Sequence, residues 1–300
     1  MMNFKPLITL PKSFNISIFF HRLTLSVVLT FLPQTAVMAA ERIISAGGAV
    51  TEIIEALGAS DQLVAIDLTS TQPTKSELPV VGYHRQLSSE GLLALNPSRI
   101  IGSDEMGPAS TLNTLKEAGV KINVVNSQSD IDGLLTRINE IAQLTHTQSK
   151  AQSLERDIQT KVAQLEQKNL EQQKIASTKK ILFLLIHEGR PANVAGRNTT
   201  PDAIIKLVGG VNPAAEKLES YKPISTEAMI EMQPDIILVS GRSFDKLGGA
   251  DAILKKMPLL AATPAGQSKS IITIDGHALV GGLGLKSLAE AKRIQTLIYP

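Results

Sequence analysis

Short apolar runs alternate along this chain with stretches in which apolar residues recur three or four positions apart. The runs predict strands over residues 42–46, 63–66, 100–101 and 123–125 in the first half, and over 180–186, 235–240 and 271–274 in the second. The spaced stretches predict helices over 51–57, closed by Gly58, over 110–118, over 201–207, and from a Gly281-Gly282-Leu283-Gly284 loop to about Leu297. Strand and helix alternate, as in an α/β fold with mainly parallel sheets covered on both faces. Residues 147–173 break the alternation. Ala151, Leu154, Ile158, Val162 and Leu165 line one face of a segment rich in Gln, Glu and Lys, which predicts one long amphipathic helix. At about 1.5 Å per residue it spans about 40 Å, enough for a stiff tether between two lobes. The alternative is a coiled-coil seam between two copies, which would last barely three heptads.

The pattern contains a repeat. Leu87-Ser-Ser-Glu90-Gly-Leu-Leu-Ala-Leu-Asn-Pro97 returns as Ile224-Ser-Thr-Glu227-Ala-Met-Ile-Glu-Met-Gln-Pro234. Each copy reads as a hydroxyl-capped helix that feeds a strand. Ile53-Ile54-Glu-Ala-Leu57-Gly58 likewise matches Ile204-Ile205-Lys-Leu-Val208-Gly209, and it precedes the first pair in both halves. A duplicated α/β unit makes two similar lobes, with a cleft expected between them. The division is residues 41–146 for the N-terminal lobe, 147–175 for the bridging helix and 176–300 for the C-terminal lobe.

Residues 1–40 carry Lys5, Lys12 and Arg22 with no acid, an apolar run from Leu23 to Leu32, and small residues before Glu41. This is the pattern of a cleavable secretory leader, cut near Ala39 or Ala40, and its apolar stretch is short for a membrane span. Without those three cations the remainder carries 27 basic against 28 acidic residues. Such a balance gives no electrostatic footprint for nucleic acid. The chain has no cysteine, so it has neither disulfides nor a cysteine-linked lipid anchor. The expectation is a free monomer in an exported compartment, most simply a periplasm.

Tyr83 and Arg85 lie in the loop before the first repeated helix. A phenol is a poor metal ligand until it loses its proton, and both a guanidinium nearby and Fe(III) favour the phenolate. Tyr is a known axial ligand of haem iron, and Arg85 could grip either the phenolate or a propionate. The plainer alternative for Tyr83 is a ring packed on a neighbour. His187 follows the apolar strand of the second lobe, where open α/β sheets present ligand residues, and could coordinate iron or accept a hydrogen bond. His84, beside Tyr83, is expected as a wall residue of the pocket. Glu90 and Glu227 open the two repeated helices, where a carboxylate suits the helix N-terminus; as a pair they also suit a two-subunit partner with basic sites. The sequence holds no Gly-x-Ser-x-Gly elbow, Walker loop or His-Glu-x-x-His motif. An exported hydrolase or redox enzyme using His187 with Glu188 is the reading from another class.

The segments Ile43-Ile-Ser-Ala-Gly-Gly-Ala-Val-Thr-Glu-Ile-Ile-Glu-Ala-Leu-Gly58, Pro79-Val-Val-Gly-Tyr83-His-Arg85, Leu87 to Pro97, Ala195-Gly-Arg-Asn-Thr199 and Ile224-Ser-Thr-Glu227 together resemble the haem-binding proteins of bacterial haem ABC importers. The resemblance implies a helix-bridged periplasmic binding protein fold that carries haem as transported ligand. It implies Tyr83 as axial ligand, Arg85 as a haem contact, His187 as a ligand from the opposite lobe, and Glu90 and Glu227 as docking sites. The implied partners are a two-subunit inner-membrane permease with its ATPase and an outer-membrane haem receptor upstream. Ferric-siderophore and corrinoid carriers share this fold and are the nearest alternatives. Relatives often place Pro-Arg after the last glycine loop, where this chain has Leu285-Lys286.

Overall fold

The structure, a computed structural model, describes residues 41–74, 77–187 and 190–299. The leader reading and Glu188 fall outside them. Among the described residues no helix is long and apolar enough to cross a membrane.

The first lobe runs β1 (Ile43–Ala46), α1 (Gly48–Ala56), β2 (Leu63–Ile66), α2 (Ser89–Leu93), β3 (Arg99–Ser103), α3 (Ala109–Glu117), β4 (Lys121–Val125) and α4 (Ile131–Leu144). Its strands form a wholly parallel sheet in the order β2-β1-β3-β4. α5 (Gln148–Gln173) is the long helix expected from the spacing of Ala151, Ile158 and Leu165, all of which it buries. The second lobe runs β5 (Ile181–Leu185), β6 (Asn193–Ala195), α6 (Thr200–Leu207), β7 (Tyr221–Pro223), α7 (Thr226–Glu231), β8 (Ile236–Ser240), α8 (Gly241–Leu247), α9 (Gly249–Lys256), α10 (Pro264–Gln267), β9 (Ile271–Ile274) and α11 (Leu285–Ile298). Its sheet, β7-β6-β5-β8-β9, is parallel from β5 to β9, while β6 and β7 are antiparallel additions at one edge.

Central strands bury both faces, so their residues alternate between two apolar layers. In β1, Ile43 joins the layer of α1, α4 and α5, and Ile44 the outer layer that holds Leu92 of α2. In β5, Ile181 and Phe183 join that same central layer, and Leu182 and Leu184 the outer layer that holds Met229 of α7. The two sheets therefore share one apolar layer and each has an outer one of its own. α11 contributes Leu288, Ala291 and Ile294 to the shared layer and packs on α1, α5 and α6, so it touches both lobes.

The sequence repeat is a structural repeat. Leu92 and Met229 hold equivalent positions and are 0% and 1% exposed, each filling its outer layer. Asn96 and Gln233, each directly before proline, both take positive φ, 48° and 45°. The second pair also matches: Gly58 (φ 73°) donates to the Glu55 carbonyl and Gly209 (φ 78°) to that of Lys206. A left-handed glycine at this position closes a helix and frees the chain to enter the next strand.

Candidate functional site

The site is built on the loops that leave the carboxyl ends of the first sheet, where open α/β sheets place their ligands. Asp67 follows β2 and is fully buried. Its carboxylate accepts from Gly47 N (3.0 Å), Thr69 N (3.2 Å), Thr69 Oγ1 (2.7 Å) and Ser70 Oγ (2.6 Å), and contacts His84 Nδ1 at 3.1 Å. One acid thus ties the loop after β1 to the loop after β2 and to the Tyr83 segment. Burial alone would raise its pKa, but the bond from His84, then those from Ser70 and Thr69, hold it below the usual carboxylate range.

The Tyr83 segment is held by its backbone. Val81 N donates to the Ile66 carbonyl (2.9 Å) and Leu68 N to that of Gly82 (2.7 Å), stringing the segment along the edge of β2. A turn then closes from Gln86 N to the Tyr83 carbonyl (2.8 Å), and Gly107 N after β3 takes the His84 carbonyl (2.9 Å). Gly82 sits at φ 91°, a conformation that suits glycine and turns the chain out to present Tyr83. Tyr83 is 37% exposed, with its ring edge-on to that of His84 at 4.5 Å.

His84 is not a wall of the cleft. It is 0% exposed, enclosed beneath Tyr83 between two acids: Asp67 on Nδ1 and Glu105, whose Oε2 lies 3.6 Å from Nε2. Burial pulls its pKa down, and the two carboxylates outweigh that and raise it. Its ring sits inside the protein against the Asp67 carboxylate. Glu105, after β3, carries the Arg85 guanidinium on its other oxygen. The neighbouring His84 ring, then Arg85, keep Glu105 ionised against the effect of burial.

Across from this group stands Tyr221, at the start of β7 in the second lobe. Tyr221 is 37% exposed, as Tyr83 is; desolvation, and then the charge of Glu105, raise its pKa, so it stays a neutral phenol. Its ring meets Phe183 edge-on at 6.3 Å. The Arg85 charge reaches both Tyr83 and Tyr221. The site therefore joins an exposed phenol, an ion-paired guanidinium and a second, neutral phenol from the opposite lobe. Asp67, Glu105 and Tyr221 were not singled out in the sequence. Asp67 and Glu105 had a signal, since they lie one and two residues past the ends of parallel strands; Tyr221 sits on a three-residue edge strand with none.

His187 is exposed, two residues past the end of β5. Among the described residues no hydrogen bond or ion pair joins its side chain to the Tyr83 segment, and no three His, Asp or Glu side chains converge as a metal site. Glu90 and Glu227 are both exposed in the first turns of α2 and α7. Ser225 caps α7 by accepting from Ala228 N at 3.2 Å, whereas Ser88 makes no side-chain cap on α2. Two grooves of about 370 and 660 Å³ run along α5 and contain none of the Tyr83 group.

Residues 43–278 match the periplasmic binding protein family, and the chain belongs to it. Among solved structures, the chain is 60% identical to the periplasmic haem-binding protein HutB of Vibrio cholerae, with a TM-score of 0.82 over 87% of this chain and all of that one. A periplasmic haem-binding protein from Pseudomonas aeruginosa is 33% identical, with a TM-score of 0.81 over 87% of this chain and 93% of that one. Among curated proteins, the vitamin B12-binding protein of Vibrio parahaemolyticus is 29% identical over 67% of this chain and 70% of its own.

Proposed function

We propose that this protein captures ferric haem in the periplasm and delivers it to an ABC importer of the inner membrane. The observation that carries the reading is the Tyr83 group: an exposed phenol on a backbone-braced loop, with the ion-paired guanidinium of Arg85 two residues on. Two solved structures named as haem-binding, at 60% and 33% identity, support it. Tyr83 supplies the axial phenolate, and Arg85 supports that phenolate or holds a propionate. His187 offers a second axial ligand from the other lobe. His84 acts from beneath, fixing the Tyr83 ring edge-on rather than touching the cargo.

Glu90 and Glu227, on structurally equivalent helices, are the docking acids for a two-subunit permease with its ATPase; an outer-membrane haem receptor supplies the cargo. The leader directs export and is removed near Ala39 or Ala40. A corrinoid cargo is the second reading, because curated relatives are named as vitamin B12-binding. Titrating the purified protein with hemin in the presence and absence of excess cyanocobalamin separates the two. Saturation by one or two equivalents of hemin, undisturbed by the corrinoid, is expected; displacement of hemin by the corrinoid would favour the second reading.

A further inference from the structure

The Glu105 carboxylate stands between the Arg85 guanidinium and the His84 imidazole. Oε1 takes the Arg85 guanidinium. Oε2 lies 3.6 Å from His84 Nε2, beyond hydrogen-bond reach. That imidazole is 0% exposed, its Nδ1 is fixed on Asp67, and its Nε2 has no hydrogen-bond partner among the described residues. A buried polar atom left without a partner is costly, so when Nε2 carries a proton a small movement of Glu105 towards His84 gains a bond. Arg85 holds it back. The Arg85 side chain is 51% exposed and its charge reaches Tyr83 and Tyr221, so it can turn to a ligand without unpacking the core.

We propose that Glu105 is the exchange partner of Arg85: arriving cargo draws the guanidinium from Glu105 to an anionic group of the ligand, Glu105 closes on His84, and the reverse exchange promotes release. The inference rests on the haem reading above, haem being a ferric dicarboxylate. In the empty state Glu105 faces both Arg85 and His84; in the loaded state it keeps His84, and Arg85 pairs with the cargo. Neither state leaves a buried charge without a partner, which is the arrangement that would be expensive. Because Glu105 and the cargo compete for one guanidinium, Glu105 is a positioning residue that weakens retention. A purely structural carboxylate would do the opposite, since its removal would loosen Arg85 and weaken binding.

The test is hemin release from the full-length mature protein, followed by stopped-flow transfer to excess apomyoglobin. Glu105→Gln should release hemin about tenfold more slowly than wild type, and the gain should vanish in an Arg85→Ala background, the coupling expected of two groups in direct contact. Glu105→Ala, should the glutamine variant be misfolded by circular dichroism, should slow release in the same direction. Release from Glu105→Gln at the wild-type rate or faster would overturn the exchange, as would slowing that persists without Arg85. A wild-type protein that takes up no hemin would overturn the haem reading and this inference with it. Uptake by the wild type with unslowed release from the variants would overturn the exchange alone.

Discussion

Glu52 of α1 accepts the backbone N–H groups of Leu285 (2.6 Å) and Lys286 (3.1 Å), so a side chain of the first lobe seats the first turn of the last helix. Those two donors belong to the set that a helix N-terminus leaves without intrahelical partners. Around them, Arg137 of α4 is fully buried and donates to the carbonyls of Leu283 and of Asn126, the latter at 2.7 Å. Gln295, one helix length later, reaches Leu165 O at 2.9 Å and Asn169 Oδ1 at 2.7 Å on the bridging helix. The lobes are therefore joined twice, by α5 and by the glycine loop with α11. This double connection favours small lobe movements over wide opening.

Burial raises the Glu52 carboxyl to about 7, against the two backbone donors and the charges of Lys286 and Arg137. An acid whose pKa is higher folded than unfolded stabilises the fold below its unfolded value, and that contribution is lost as pH rises through the folded one. Wild type should therefore lose stability between about pH 4.5 and about 7 from this group. Glu52→Gln should flatten that part of the profile, seen as a smaller fall in denaturation midpoint between pH 5 and pH 8. Equal slopes for the two proteins would exclude Glu52 as the titrating group.

Gly282 makes the closest approach to backbone in the glycine loop. Its φ is 89°, and a Cβ there would lie 2.6 Å from the Ser127 carbonyl oxygen and 2.7 Å from that of Gln128. Leu283 N also bonds the Gln128 carbonyl at 3.2 Å, so the backbone cannot back away without losing it. Gly282→Ala should cost roughly 2–4 kcal/mol, combining left-handed strain with overpacking. Thermal melting should show a midpoint lowered by roughly 5–10 °C. Gly91, whose Cβ would meet nothing within 4 Å, is the control and should melt like wild type when changed to Ala.

Much of this was legible in the sequence. The apolar runs at Ile43–Ala46 and Ile181–Leu185 gave the strands, the spacing from Ala151 to Leu165 gave the bridge, and the Glu-to-Pro phrase gave the repeat, because each is a pattern imposed by local geometry. α4 was overlooked, although Asp130 caps it through Gly133 N at 2.7 Å and Leu134, Ile138 and Ile141 carry a helical stripe. β6 and β7 have three residues each, too few for a period to register, so Tyr221 on β7 could not be placed. The glycine loop was read only as an entry to the last helix; its role in joining the lobes depends on Glu52 and Gln128, more than 150 positions away in sequence. His84 was misplaced because a neighbour in sequence need not share a neighbour's exposure: the turn that presents Tyr83 turns His84 inward onto Asp67.

The paired acids should govern docking and not cargo. Glu90→Lys and Glu227→Lys reverse exposed charges remote from the apolar layers, so hemin affinity should be unchanged. Stimulation of ATP hydrolysis by the importer reconstituted in membranes should fall by about tenfold for each, with the loss steepest at low salt. Stimulation equal to wild type in the double variant would remove these acids from the docking surface.

The central claim is that the Tyr83 phenolate holds the iron, and absorbance titration of Tyr83→Phe with hemin tests it most directly. Wild type should develop the bands of ferric haem bound to a phenolate. The phenylalanine variant, which keeps the ring and its edge contact with His84, should lose those bands and bind at least tenfold more weakly. An unchanged spectrum with unchanged affinity would contradict the account.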